Sequence, residues 1–317
     1  MPSYFLVAVS TRKNLEACVR HGLAGLPRSR PGVWAYEDIL VGDYISFLYG
    51  AKVWNLYSVR EKRAYLDATD LPPWELLTFR SGMRYDFAYR LLLEPVKALN
   101  EEIARPGFHY LGENLLQRGG YGKSHFQADQ LTFNFVSGLE GSPHPGIQVL
   151  DLPPSSFEPR FARGRPARPA LQLTELVLQS CLRQYLSVPT HGSDFLSEFG
   201  VHDAVGWEFL SEKALDAGIV DLFAKEAHPT TGRQKSLAVE VKLNDATAKD
   251  IKQALDYREE LGEACVGAAV IAAGSGRKAI AVAQQSNVRV FSYGLPDPSK
   301  PMTFAEILSG LTLSRLV

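Results

Sequence analysis

The sequence predicts a two-domain protein, with a β-rich half carrying short helices followed by an α/β half built on a mixed sheet flanked by helices. Three observations carry this. The chain has 317 residues, more than one hydrophobic core commonly serves. Residues 152–170, LPPSSFEPRFARGRPARPA, hold five prolines and four arginines without hydrophobic periodicity. That composition predicts an extended linker between domains at 1–151 and 171–317. The third observation is that strand and helix patterns differ on its two sides.

In the first half, 4–10 reads as a strand and 11–21 as a helix, with Leu15 and Val19 on one face and Arg12 and Asn14 on the other. Residues 42–49 and 53–60 read as strands paired around the Gly50-Ala51 turn, and 87–96 as another strand. A short helix is expected near 112–117, followed by the glycine-rich RGGYGKSHF at 118–126. The second half reads as helix 173–186, strands 206–210, 218–225 and 236–243, helix 246–261, strand 266–273, helix 277–286 and strand 288–292. The strand–helix–strand run across 236–273 predicts parallel neighbours joined by a crossover.

Composition is that of an ordinary globular protein, 45% hydrophobic and 22% charged, with net charge −1. That balance excludes a wholesale polybasic binder, although the arginines of 152–170 leave phosphate contacts open beside a merely solvated linker. The apolar runs are strand-length, so no membrane partner is expected. The N-terminus lacks the basic region and cleavage site of a signal peptide. Cys18, Cys181 and Cys265 are odd in number and widely spaced, which predicts reduced thiols in a cytoplasmic protein rather than disulfides or a zinc cluster.

Asp221 interrupts the apolar strand GIVDLFAK. In SLAVEVKLN, alternation puts Leu237, Val239, Val241 and Leu243 on one face and Ala238, Glu240 and Lys242 on the other. Opposite charges on one face of a central strand are costly unless something uses them. Asp221, Glu240 and the Val241 carbonyl would make a hard oxygen site for Mg²⁺ or Mn²⁺, and Lys242 could hold a water or offset charge on a phosphorane-like transition state. Gln253 and Tyr257 lie four apart on the following helix and project to one edge, and Glu175 could supply a third carboxylate. Alternatives stand beside each: an exposed edge-strand ion pair for Glu240 and Lys242, a first-turn helix acid for Glu175, plain packing for Tyr257.

The ordered series D-x(18)-E-x-K, then Q-x(3)-Y, resembles the PD-(D/E)xK nucleases, in particular the branch with the Gln…Tyr motif of RecB-like nucleases. WEFLSEKALDAGIVDLFAK…LAVEVKLNDATAKDIKQALDYREEL resembles the catalytic domain of the NucS/EndoMS mismatch endonucleases over about 100 residues. The resemblance implies a restriction-endonuclease-like fold, metal ligation by Glu175, Asp221 and Glu240, catalytic Lys242, and Gln253 and Tyr257 lining the site.

In the first half, YFLVAVSTRKNLEACVRHGLAGLP, GDYISFLYG, VWNLYSVREKRAYLD and YDFAYRLLLEPV resemble the EVE/YTH-like branch of the PUA superfamily. That implies a β-barrel with short helices holding a modified base in an aromatic cage. Trp34, Trp74 and Trp54, in that order, with Tyr57, are the candidates for the cage, although each tryptophan singly also suits a core. Trp34 is expected as an exposed ring after the loop RSRPGV. Arg118, Lys123 and Ser124 of the glycine-rich loop could contact the DNA backbone, or the glycines could serve a tight turn. His109 and His125 are too isolated to propose as ligands or bases. A base reader joined to a metal nuclease predicts a modification-dependent DNA endonuclease acting on modified cytosine and working as a homodimer for two-strand cuts. A mismatch or branched-DNA repair enzyme, a non-catalytic nucleic-acid reader and an RNA-directed protein are the alternatives.

Overall fold

The computed structural model describes residues 2–75, 77, 78, 82, 84–118, 123–229, 232–297 and 300–317. The chain forms two compact units, Met1–Pro159 and Arg160–Val317. The segment 152–170 is not the free linker expected but is shared between them. Arg63 Nη1 donates to Leu152 O (2.6 Å) and Tyr65 Oη to Pro153 O (2.7 Å). The Ser155 and Ser156 hydroxyls accept from Ala64 N and Leu66 N (3.0 and 2.8 Å). Proline removes a donor but keeps its carbonyl, and carbonyls are what Arg63 and Tyr65 use.

Unit 1 runs β1 (Tyr4–Ala8), α1 (Arg12–His21), β2 (Leu23–Leu26), α2 (Arg30–Asp38), β3 (Tyr44–Tyr49), β4 (Lys52–Ala64), β5 (Leu77–Thr78), β6 (Arg84–Tyr85), β7 (Tyr89–Glu102), α3 (His109–Arg118), β8 (His125–Ala128) and α4 (Gln130–Gly138). Its sheet has the order β2-β7-β4-β3-β1-β8, with β1 and β3 parallel and the other pairs antiparallel. The β3–β4 turn, Gly50-Ala51, has φ of 60° and 57°, the left-handed pair that matches the twist of the flanking strands. The expected barrel is present as a curled half-barrel sheet, whose pairing does not close among the described residues. β2 and β8, four residues each, stand at opposite ends of the order. Tyr4, Leu6, Leu56, Phe108, Leu111 and Phe126 form the core between the sheet and α3.

Unit 2 runs β9 (Arg160–Ala162), β10 (Leu171–Gln172), α5 (Glu175–Leu186), α6 (Pro189–Ser197), β11 (Trp207–Leu215), β12 (Gly218–Glu226), β13 (Ser236–Val241), α7 (Ala248–Leu261), β14 (Cys265–Ala272), α8 (Arg277–Ser286), β15 (Arg289–Gly294), β16 (Met302–Thr303), α9 (Phe304–Gly310) and β17 (Thr312–Arg315). The main sheet has the order β11-β12-β13-β14-β15-β17. As the crossover pattern predicts, β13 pairs parallel with β14, and β14 with β15. The sequence did not mark α6, α9 or the short strands β9, β10 and β16, which form a second sheet.

β13 is a central strand and its residues are buried throughout, so Glu240 and Lys242 do not decorate an exposed edge. Ala238 packs with Val220 and with Tyr257 of α7. Alternation therefore puts Glu240 on the face that α7 covers. The three cysteines are free, two buried and Cys265 half-buried. Among the described residues no helix is long and apolar enough to cross a membrane.

Candidate active site

The β12–β13 ladder ends at Leu222–Val239, which places Asp221 and Glu240 at the next position on each strand. There the Asp221 side chain replaces a backbone acceptor: Val241 N donates to its Oδ2 at 2.7 Å. Glu240 is 1% exposed, and its Oε1 accepts from Lys242 Nζ at 2.5 Å. Its Oε2 is buried with no partner among the described residues.

Burial pushes the Asp221 carboxyl well above its ordinary value, and the Glu240 charge pushes it further, against the Val241 N–H and Lys242. Burial also raises Glu240, with Lys242 opposing and Asp250 and Glu175 adding to the rise. Burial alone would lower the Lys242 ammonium, but Glu240, Asp221 and Glu175 outweigh it and raise the pKa. Three carboxylates thus act on one ammonium, a deficit of positive charge that a buried site tolerates poorly.

The helix residues join at one step's remove. Gln253 Nε2 donates to Tyr257 Oη at 2.6 Å, and Tyr257 Oη donates to Ile219 O, two residues before Asp221, at 2.8 Å. Burial pushes the Tyr257 hydroxyl up to about 12, with the Gln253 bond opposing. A Cβ on Gly218 would lie 3.0 Å from Tyr257 Oη, and Gly218 has φ +143°. At the far end of the same helix, Glu260 takes both turn N–H groups of the β11–β12 hairpin, Asp216 N at 2.7 Å and Ala217 N at 2.8 Å. α7 therefore holds the hairpin at its tip, through the turn and through the first residues of β12.

Glu175 begins α5 after the Thr174 cap, and its Oε2 accepts from Leu243 N at 3.1 Å. Of the three carboxylates expected as metal ligands, Glu175 thus has one oxygen committed to the backbone just after β13. Among the described residues no group of three or more His, Cys, Asp or Glu side chains is gathered as a cation site. Asp221 and Glu240, with the unpartnered Oε2, are the oxygens that fit a hard divalent ion. Sequence reasoning missed Arg163 and Tyr293, which both donate to Leu243 O, at 2.6 and 2.7 Å. Arg163 lies in the arginine-rich segment; Tyr293 carried no signal.

In unit 1 a cavity of about 340 Å³ is walled by Phe47, Trp74, Tyr85 and Phe87, with Lys123 and Ser124 at its margin. Trp74 stacks at a tilt on Phe87, centroids 4.8 Å apart, and its Nε1 is buried with no partner among the described residues. Gly25 makes room for the ring, since a Cβ there would lie 2.6 Å from it. The other cage candidates stand elsewhere. Trp34 is not an exposed ring: Ser29 caps α2 by accepting from Gly32 N, and the expected loop is that helix's first turn. Trp34 is 2% exposed and meets His125 edge-on at 4.5 Å. Lys123 Nζ lies 5.0 Å from the centroid of the Trp34 ring. Trp54 lines a separate cavity of about 570 Å³ with Arg12 and Arg20. Tyr57 is fully buried, its Oη bonded to Asn55 Nδ2 and beside His144 Nε2. His125, isolated in sequence, has Nε2 3.0 Å from Asp38 Oδ2 in the core. The Arg118 side chain and the glycines at 119, 120 and 122 lie outside the described residues.

Neither a protein-family model nor a curated protein matches the chain. Among solved structures it is similar to a repair endonuclease from Pyrococcus abyssi, with 18% identity over 32% of this chain and 44% of that one, TM-score 0.24. A complex of EndoMS with double-stranded DNA matches at 18% identity over 43% of this chain and 50% of that chain, TM-score 0.26. The DNA modification-dependent restriction endonuclease AspBHI matches at 12% identity over 90% and 73%, TM-score 0.21. The chain thus spans half or less of the Pyrococcus abyssi and EndoMS chains, and likenesses at these scores carry no functional argument.

Proposed function

We infer that the chain is a metal-dependent DNA endonuclease, with its hydrolytic site in unit 2 and a modified-cytosine reader in unit 1. The observation that carries the hydrolytic reading is the buried Oε2 of Glu240, unpartnered among the described residues, beside Asp221, with Lys242 facing several acids. Asp221 and Glu240 would hold Mg²⁺ or Mn²⁺, with the Val241 carbonyl as a further oxygen. The bound ion would supply an acidified water and charge stabilisation. Lys242, anchored on Glu240 by one donor, keeps others to orient the attacking water or to stabilise the pentavalent phosphorus. The water oxygen bonds to phosphorus, the ester P–O bond breaks, the water's proton leaves to solvent and the departing oxygen takes up another. Gln253 and Tyr257 fix the start of β12 and thereby Asp221. One such site cuts one strand, so a homodimer is the state proposed for double-strand cleavage.

The reader assignment is supported by the 340 Å³ cavity, within the size range of small-ligand sites. Its aromatic walls suit a planar base, and the unpartnered Trp74 Nε1 suits an acceptor on it. The test is cleavage of plain, methylated, hydroxymethylated, glucosylated and mismatched duplexes with Mg²⁺ or Mn²⁺, beside melting curves with and without the ion. A modified substrate should be cut preferentially. The ion should raise the melting temperature of the wild type and not of Glu240→Gln. Equal cutting of modified and plain DNA overturns the reader, preference for mismatches favours a repair enzyme, and cutting retained by Asp221→Asn and Lys242→Ala overturns the site.

A further inference from the structure

Leu243, directly after Lys242, is held from three sides. Glu175 Oε2 accepts from its N–H (3.1 Å), and Arg163 Nη2 and Tyr293 Oη both donate to its carbonyl (2.6 and 2.7 Å). The Arg163 guanidinium also lies 5.8 Å from the centroid of the Tyr293 ring, and Tyr293 is buried while Arg163 is half-exposed. One nitrogen and one ring therefore fix this guanidinium. A guanidinium carries five N–H donors in a rigid fork, and Arg163 uses one of them among the described residues.

Its surroundings are acidic. Glu175 and Asp245 both act on Tyr293, against Arg163, Asp221, Glu240 and Glu175 act on Lys242, and Asp250 acts on Glu240. A phosphodiester brought to such a site meets more carboxylates than cations. It needs a fixed positive group beside the metal-binding oxygens, and Arg163 is held one residue from Lys242.

We propose that Arg163 is a phosphate-binding residue of the unit 2 site. Anchored on Leu243 O and the Tyr293 ring, it gives its remaining donors to the non-bridging oxygens of the DNA phosphate at the site. This assigns to the arginine-rich segment a contact with substrate that does not depend on any base. The identity of the ligand rests on the nuclease reading, but the proposal is tested by binding, not by cutting.

The full chain is titrated with a plain 20-base-pair duplex in Ca²⁺ buffer at several salt concentrations, and cleavage is followed separately with Mg²⁺. Arg163→Gln, which keeps a donor for Leu243 O, should weaken binding about 10-fold or more, the scale of one charged hydrogen bond. The slope of log affinity against log salt should fall by about 1. Arg163→Lys should recover the slope while leaving part of the affinity lost. Tyr293→Phe should keep the wild-type slope. Wild-type affinity and slope in Arg163→Gln overturn the proposal, as does lost cleavage with unchanged binding, which marks a structural role. A wild-type protein that binds but never cuts, with the Arg163 effects present, overturns the nuclease reading and leaves Arg163 standing. Absence of duplex binding by the wild type overturns both.

Discussion

Unit 1 and unit 2 each set three carboxylates around one lysine, and they differ in how the carboxylate oxygens are used. In unit 1 Glu37, Asp38 and Asp43 all bear on Lys62, whose Nζ lies 3.9 Å from Glu37 and over the Tyr36 ring, and His125 Nε2 lies 3.0 Å from Asp38. Asp43 spends its two oxygens on Ser3 N and Leu40 N. In unit 2, Asp221, Glu240 and Glu175 bear on Lys242 together, and one Glu240 oxygen has no partner among the described residues. A carboxylate oxygen hydrogen-bonded within the protein holds structure, whereas a buried one left without a partner suits an outside ion. The unpartnered group of the unit 1 cavity is of the other kind, a neutral donor on Trp74. The two unpartnered groups thus differ in kind, a carboxylate oxygen in unit 2 and a ring N–H in unit 1.

The largest effect should come from removing a charged member of the unit 2 site. Lys242→Ala or Asp221→Asn should lower single-turnover cleavage about 100- to 1,000-fold or more, with the Kd ratio for modified against plain duplex unchanged. If cleavage and preference fall together, the division between units is wrong. Trp74→Ala should remove about 1–3 kcal/mol of stacking, roughly 5- to 150-fold in affinity for a modified duplex, with residual cutting of plain DNA retained. Trp34→Ala should instead lower the melting temperature as a core deletion, by about 3–5 kcal/mol in stability. Preference for modified DNA lost in Trp34→Ala and kept in Trp74→Ala would move the reader site off the 340 Å³ cavity.

A smaller change probes the support behind Asp221. Gly218→Ala meets Tyr257 Oη and an unfavourable φ, so it should cost about 1–2 kcal/mol in stability and slow cleavage without altering preference. The smallest effect concerns a matched pair. Burial pushes Glu37 up to about 7, with Lys62 opposing and Glu158 adding to the rise. A carboxyl raised on folding gives stability that is full below its unfolded pKa and lost as pH rises through the folded one. Wild-type stability should therefore decline between about pH 4.5 and 7, and Glu37→Gln should flatten that decline in pH-dependent urea melts.

The β13 motif was legible because its information is local. Two charges on one face of an apolar run need no distant partner to be conspicuous, and the crossover to β14 followed from the intervening helix. What the sequence hid depends on residues far apart. Glu175 reaches Leu243 across 68 positions, and Arg163 and Tyr293 meet on the same carbonyl from 80 and 50 positions away. Trp34 was misjudged because RSRPGV has the composition of a loop, while Ser29 and Pro31 are equally the start of a helix. The open pairing of the unit 1 sheet was not readable either, since closure depends on whether β2 and β8 reach each other.

The Glu260 carboxylate on the Asp216-Ala217 turn bears on how this protein can be engineered. A two-residue hairpin tip is ordinarily a good place to insert a tag, a fluorophore or a new terminus. Here the tip is moored to the helix that also carries Gln253 and Tyr257, so an insertion there would pull on the strand that bears Asp221. A reporter grafted at 216 or 217 would read out the state of the site by disturbing it, and labels meant to be silent belong on another loop.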